Sequence, residues 1–194
     1  RLGLVGSEMC IRDSFCSECG AKVERKIPEG DTHERSVCTQ CGVIHYTNPK
    51  IVAGTLQIWG HEVLLCQRAI EPRKGFWTLP AGFLENGETI LEGAVRETRE
   101  EAEAEVIDSH LYTIFSLPHI SQIYVFFRSN LAERKFSGGT ESLDVGLFSE
   151  SEIPWENLAF PVVTQTLQHF FHDRVTGVYR VHNEVIEFKR RLRS

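Results

Sequence analysis

Four of the six cysteines stand in two C-x2-C pairs, Cys16-Ser17-Glu18-Cys19 and Cys38-Thr39-Gln40-Cys41, separated by 18 residues and each followed by a glycine, Gly20 and Gly42. Nothing else in the chain restricts its folding so sharply. A C-x2-C turn aims two thiolates at one point, and two such turns place four sulfurs at about 2.3 Å around a Zn²⁺ ion with no coordination position left open. Such a site is structural rather than catalytic. The residues between the pairs, Ala21 to Val37, are mostly polar and cannot bury a core of their own. Metal binding, worth on the order of 10 kcal/mol in small zinc modules, supplies the missing stability. Two disulfides are the other arrangement open to four thiols. Cys66, in the apolar run Val63-Leu64-Leu65-Cys66, reads as a small buried hydrophobe.

The charge balance narrows the partners. The 194 residues carry 27 acidic and 21 basic side chains, a net charge of −6, and suit one or two small domains. No run approaches the roughly 18 apolar residues of a membrane span, and a pI near 5.8 gives no electrostatic footprint for nucleic acid. The negative charge is concentrated. From Glu85 to Glu105 there are eight acidic residues and two basic ones, Arg96 and Arg99, so this stretch carries the whole net charge and the remainder balances.

Periodicity divides the chain. Residues 1–14 show neither helical nor strand spacing and are expected to be a non-native leader in which Cys10 has no role. Residues 15–48 form the cysteine module, and Tyr46-Thr47-Asn48-Pro49 is a natural junction. Residues 49–176 alternate strand-like runs (Ile51 to Ile58, Glu62 to Gln67, Leu111 to Leu117, Ile123 to Arg128, Leu143 to Phe148) with two helical patterns. The first helix starts at Thr89, where Thr89-Ile90-Leu91-Glu92 fits a capping box; the second runs from about Phe160 to Val175. Hairpin strands with two packing helices predict an α/β fold with a mixed sheet between helices. Residues 177–194, ending in Lys189, Arg190, Arg191 and Arg193, are expected as a solvated tail.

On the first helix, Glu97, Glu100 and Glu101 stand at i, i+3 and i+4, so their carboxylates share one face. Like charges at that spacing destabilise a bare helix, whereas a hard divalent cation removes the repulsion and uses the oxygens as ligands. Before the helix come Leu79-Pro80-Ala81-Gly82 and, at its entrance, Gly87-Glu88. Gly82, Glu88, Arg96-Glu97 and Glu100-Glu101 therefore have the spacing G-x5-E-x7-R-E-x2-E-E. This resembles the Nudix box, the signature of hydrolases that cleave a nucleoside diphosphate linked to another moiety. Thr98 departs from the pattern where an aliphatic residue is usual, and Glu103 replaces the glycine that ends the box helix. Glu103 either takes a positive φ at a cost on the order of 1 kcal/mol, or the helix runs on for another turn.

The motifs F-C-x2-C-G from Phe15, C-T-Q-C-G from Cys38, Y-x-N-P-K from Tyr46, W-T-L-P-A-G from Trp77, Q-x-Y-V-x-F from Gln122 and E-S-L from Glu141 extend the resemblance from Phe15 to about Phe171, and in them the chain resembles plant FAD and ADP-ribose pyrophosphatases and their bacterial zinc-ribbon relatives. The resemblance implies a Nudix α/β/α sandwich preceded by a zinc ribbon and acting in the cytoplasm, with structural Zn²⁺ on Cys16, Cys19, Cys38 and Cys41. It implies Mg²⁺ or Mn²⁺ held by Ala81, Glu97, Glu100, Glu101 and Glu141, with Glu100, Glu101 and Glu141 the catalytic carboxylates and water activation falling to Glu101 or Glu141. The substrate would be a nucleotide such as FAD or ADP-ribose, cleaved to release AMP, with Arg68, Trp77, Gln122 and Tyr124 as its contacts. Relatives commonly pair as homodimers. NADH pyrophosphatases carry a Trp- and Phe-containing motif after the box; Ser116 to Tyr124 here has neither. NADH or NAD remains an alternative substrate. The competing class is a regulator that binds nucleotide or nucleic acid without cleaving it. Against it, the box carboxylates are all present, and residues 15–48 hold four basic against five acidic side chains. None of the eight histidines has ligand-like spacing.

Overall fold

The structure, a computed structural model, describes residues 14–187. Cys10 and the basic cluster Lys189 to Arg193 lie outside them. The chain divides into two compact units, with the boundary between Asn48 and Pro49.

The first unit is a three-stranded antiparallel sheet of β1 (Val23–Lys26), β2 (Arg35–Cys38) and β3 (Ile44–His45), in that order. The two cysteine turns sit at its head. Gly20 and Gly42 take positive φ of 72° and 73°, and their N–H groups bond back to the Cys16 and Cys38 carbonyls at 2.9 and 3.2 Å. A side chain at either glycine would be strained in this left-handed conformation.

The second unit is built on an eight-stranded mixed sheet. Its path is β10 (Ser142–Phe148), β5 (Glu62–Arg68), β4 (Lys50–Trp59), β9 (Gln122–Leu131), β8 (Val106–Leu117) and β11 (His182–Val185), with β6 (Trp77–Thr78) beside β5 and β7 (Ala81–Phe83) beside β4. β4 pairs with β9 in parallel, and β11 with β8; the other pairs are antiparallel. The apolar run in β5 shows why the sheet needs cover on both faces. Val63 and Leu65 enter one core with Leu56, Phe115, Phe126 and Leu167, while Leu64 and Cys66 enter another with Ala102, Ala104 and Leu131.

Helix α2 (Pro161–Thr176) covers the first face. Pro161 opens it, Gly177 closes it at φ 69°, and Val162, Val163, Leu167, Phe170 and Phe171 are buried. Truncating Phe170 at this packing would cost about 3–5 kcal/mol. Helix α1 (Ile90–Ala102) covers the second face with a strip of small residues, Gly93, Ala94, Thr98 and Ala102. Its capping box forms: Glu92 N–H donates to Thr89 Oγ1 at 3.2 Å and Thr89 N–H to Glu92 Oε2 at 2.7 Å. The helix ends at Ala102, and Glu103 adopts φ 45°, its N–H bonded to the Arg99 carbonyl. Of the two expectations for Glu103, the structure takes the left-handed cap rather than the longer helix. Within the segment expected as a tail, His182–Val185 form β11, and Ile186 is buried in the α2-side core.

Thr98 has its own accommodation. Its hydroxyl lies 2.6 Å from Thr55 Oγ1 and donates to the Ala94 carbonyl at 2.8 Å, and Gln57 Nε2 reaches both hydroxyls. A buried polar trio replaces apolar contact between α1 and β4.

Candidate active site and metal centres

The ribbon thiols converge. Cys16 and Cys41 Sγ are 3.7 Å apart, Cys19 and Cys38 3.5 Å, and Cys19 and Cys41 3.6 Å. These separations rule out disulfides, whose S–S bond is about 2.05 Å, and match the edges of about 3.8 Å that four sulfurs form around Zn²⁺. All four thiols are free. Backbone N–H groups of Glu18, Gln40 and Cys41 point at Sγ atoms at 3.4 Å, and the Cys41 N–H leads in holding the Cys38 thiol down to about 6. The donor set is closed, so it stabilises the module and leaves no position for a substrate.

The box glutamates are assembled by β7, α1 and a later loop. Gly82 is required by contact: a Cβ there would overlap the Glu97 carboxylate. Arg96 binds Glu88 through both carboxylate oxygens at 2.7 and 3.0 Å, donates to the Phe83 carbonyl at 3.2 Å, and reaches Glu97 Oε1 at 2.6 Å and Glu100 Oε2 at 3.0 Å. Helical spacing alone suggests Glu92 as the partner of Arg96, but Glu92 is committed to the cap. Glu88 instead reaches back to Arg96, whose guanidinium holds its carboxyl at about 2.

Glu101 sits on the buried face of α1 and is 7% exposed. The Ala81 N–H donates to its Oε2 at 3.3 Å. Burial, and next the charge of Glu97, push its pKa from the ordinary 4.5 up to about 8, and Glu141 adds to the rise. Glu97 is raised too, first by burial, with Glu100 and Glu141 contributing. Glu141 reaches the site because residues 137–139 dock on the end of α1: Ser137 N–H bonds the Ala102 carbonyl at 2.9 Å and Gly139 N–H the Glu101 carbonyl at 3.1 Å. A side chain at Gly139 would collide with the Glu100 carbonyl. No spacing in the sequence reveals this docking loop.

Among the described residues, the compact ligand groups are the four cysteines and a His169, His182, Glu184 cluster. The box carboxylates are not drawn to one point, since Arg96 holds Glu97 and Glu100 while Ala81 holds Glu101. Their chemistry nevertheless fits a hard divalent cation: the donors are all oxygens, two of them are desolvated, and their mutual repulsion is incompletely offset.

The residues expected to touch substrate divide. Arg68 donates from Nε to the Pro72 carbonyl at 2.9 Å, and its charge opposes the rise of both Glu101 and Tyr124, so it lies on the side of the carboxylates with Tyr124. Trp77 packs edge-on against Phe148 with ring centres 4.8 Å apart and belongs to the rim of the α2-side core. Gln122 opens β9 opposite Lys50, half-buried.

Comparison with known proteins agrees with this geometry. Residues 49–170 match the family described as NUDIX domain, and residues 14–47 the zinc-ribbon family described as Nudix N-terminal. A crystal structure of a Nudix hydrolase from Nitrosomonas europaea superposes with a TM-score of 0.86 at 50% identity, covering 89% of this chain and 98% of that one. A curated NAD-capped RNA hydrolase of Pseudomonas aeruginosa is 37% identical over 95 residues, 47% of this chain and 31% of its own length. An ADP-ribose pyrophosphatase of Methanocaldococcus jannaschii is 28% identical over 121 residues, 59% of this chain and 69% of that protein. The chain thus spans about a third of the first of these curated relatives. By its fold, its box and the match over residues 49–170, the chain belongs to the Nudix hydrolase family, with a Nudix zinc ribbon ahead of the catalytic domain.

Proposed function

We propose that the chain hydrolyses the diphosphate bond of a nucleoside diphosphate derivative, with FAD or ADP-ribose as substrate and AMP as one product. The observation that carries this reading is Glu101, a buried carboxylate beside Glu97 and Glu141 that only a cation or a proton can neutralise. A cluster of this kind has little structural value and a clear use in binding a cation that a diphosphate shares.

Glu97, Glu100, Glu101 and the Ala81 carbonyl would hold Mg²⁺ or Mn²⁺, with Glu141 adding a ligand from its loop. When bound, the cation supplies neutralising charge for the phosphate oxygens and a lowered pKa for water. The chain's own residues do the rest. Arg96 keeps the face of Glu97 and Glu100 in place through its anchor on Glu88 and the Phe83 carbonyl. Arg68 offers a positive charge beside Glu101 for a phosphate of the incoming substrate, and Tyr124 a ring surface for the base or flavin. A carboxylate whose charge is spent on a cation is a weak base. Glu141, exposed where the docked loop runs into β10, is therefore the group we assign to take the proton from the attacking water, and Glu101 the one that anchors the cation.

Support for FAD or ADP-ribose over NADH comes from Ser116 to Tyr124, which lacks the aromatic motif, and from the similarity to an ADP-ribose pyrophosphatase. The test is a panel of FAD, ADP-ribose, NADH and an oligonucleotide with an NAD cap, each incubated with Mg²⁺ and assayed for its phosphate products. Fastest cleavage of FAD or ADP-ribose supports the proposal. Fastest cleavage of NADH or the capped oligonucleotide overturns the substrate assignment, and no cleavage at all overturns the reaction. Among the described residues no helix is long and apolar enough to cross a membrane.

A further inference from the structure

Strand β11 lies beyond the matched residues 49–170 and carries chemistry that the diphosphatase reaction does not use. His182 and Glu184 stand at i and i+2 and project to one side of this strand. Opposite them, α2 presents His169 and, one turn later, Asp173. Ligand atoms of His169, His182 and Glu184 all lie within 4.8 Å of one another. The His169 and His182 rings stack with centres 3.9 Å apart and planes 14° apart.

Two details distinguish this group from an ordinary surface cluster. His169 Nε2 is buried and meets Glu184 Oε1 at 3.1 Å. His182 Nε2 meets Asp173 Oδ2 at 2.8 Å, and the same oxygen accepts from the Tyr112 hydroxyl at 3.0 Å. This is the carboxylate support that orients a ligating histidine and leaves its other ring nitrogen for a metal.

We propose that His169, His182 and Glu184 form a second zinc site, distinct from the cysteine ribbon and from the box glutamates, that clips β11 to α2. Two imidazoles and one carboxylate select a transition metal over Mg²⁺, and three protein ligands leave a fourth position for water. Zn–N bonds of about 2.0–2.1 Å need ligand atoms roughly 3.4 Å apart. The His169 and Glu184 pair is already at that separation, and rotation about side-chain bonds brings in the third. Asp173 acts as a positioning residue through its bond to His182.

The test counts zinc in the full chain after equilibration with buffered Zn²⁺ in the presence of excess Mg²⁺, which keeps the box glutamates occupied. The wild type is expected to hold two equivalents per chain. Glu184→Gln changes a side chain that is 43% exposed and leaves the core untouched; it is expected to hold one, as is His182→Ala. Asp173→Asn is expected to weaken the second equivalent by about 10–100-fold without abolishing it. Substituting Co²⁺ for the second equivalent should give a visible spectrum free of thiolate charge transfer in the wild type and no such band in Glu184→Gln. One equivalent in the wild type, or two retained in Glu184→Gln, overturns the proposal.

Discussion

Glu101→Gln should stabilise the Mg²⁺-free protein even as it removes the proposed cation ligand. In the folded chain the Glu101 carboxyl is raised from the ordinary 4.5 to about 8, so the fold binds this proton more tightly than the unfolded chain does. The associated stability is fully present below pH 4.5, declines as pH rises, and is completely lost above pH 8. At about 1.4 kcal/mol per pH unit, the loss between pH 4.5 and pH 7 is about 3 kcal/mol. Glutamine keeps the shape, accepts the Ala81 N–H and carries no charge, so the variant should be more stable than wild type by about 2–4 kcal/mol at pH 8 and no different near pH 4.5. The assay is denaturant unfolding in Mg²⁺-free buffer without a chelator, so that the ribbon keeps its zinc. It is followed by fluorescence of Trp59, Trp77 and Trp155, all of which lie in the second unit. Adding Mg²⁺ should reverse the order, because wild type gains binding energy that the variant lacks. Equal or lower stability of Glu101→Gln at pH 8 without Mg²⁺ would refute the buried-charge argument.

Gly82→Ala, which pushes the Glu97 carboxylate aside, should lower kcat on the order of 100-fold while the unfolding midpoint changes little; parallel turnover and melting measurements separate the two. Thr98→Val should destabilise the second unit by about 1–3 kcal/mol because Thr55 and Gln57 lose their partner, and the triple change with Thr55→Val and Gln57→Leu should recover most of that loss. Glu103→Gly should add about 1 kcal/mol by relieving the left-handed φ, reduced by the lost hydrogen bond from Ser137, as read from denaturation curves. Cys38→Ser should release the ribbon zinc and make residues 15–48 protease-sensitive, measured by metal content and limited digestion.

Features that depend on local spacing were legible before the structure. The capping box at Thr89 is four residues long, and the carboxylate face of α1 follows from the helical repeat, so both could be read from the chain. The ribbon was legible because four cysteines converge through two turns whose geometry each pair encodes. Non-local features were hidden. β11 is short and mostly polar, His182-Asn183-Glu184-Val185, and becomes a strand only because β8 offers it a parallel edge. Arg96 pairs with Glu88 across the helix entrance, a bond that the i, i+4 rule does not generate. β4 is buried on both faces, so alternation could not show that Thr55 and Gln57 turn toward Thr98. His169 and His182 lie 13 residues apart across the turn at Gly177, a separation with no ligand signature until the chain folds back.

Hydrolysis by this chain requires that the box carboxylates hold the cation it uses. The direct measurement is Mn²⁺ binding by electron paramagnetic resonance together with AMP release from ADP-ribose, made on the same samples of wild type, Glu101→Gln and Glu141→Gln. Wild type should bind Mn²⁺ and release AMP. Glu101→Gln should lose both, and Glu141→Gln should retain most of the binding while AMP release falls at least 100-fold, on the order expected for loss of a general base. Undiminished hydrolysis by Glu101→Gln, or by wild type stripped of divalent cations other than the ribbon zinc, would contradict a cation held by Glu101.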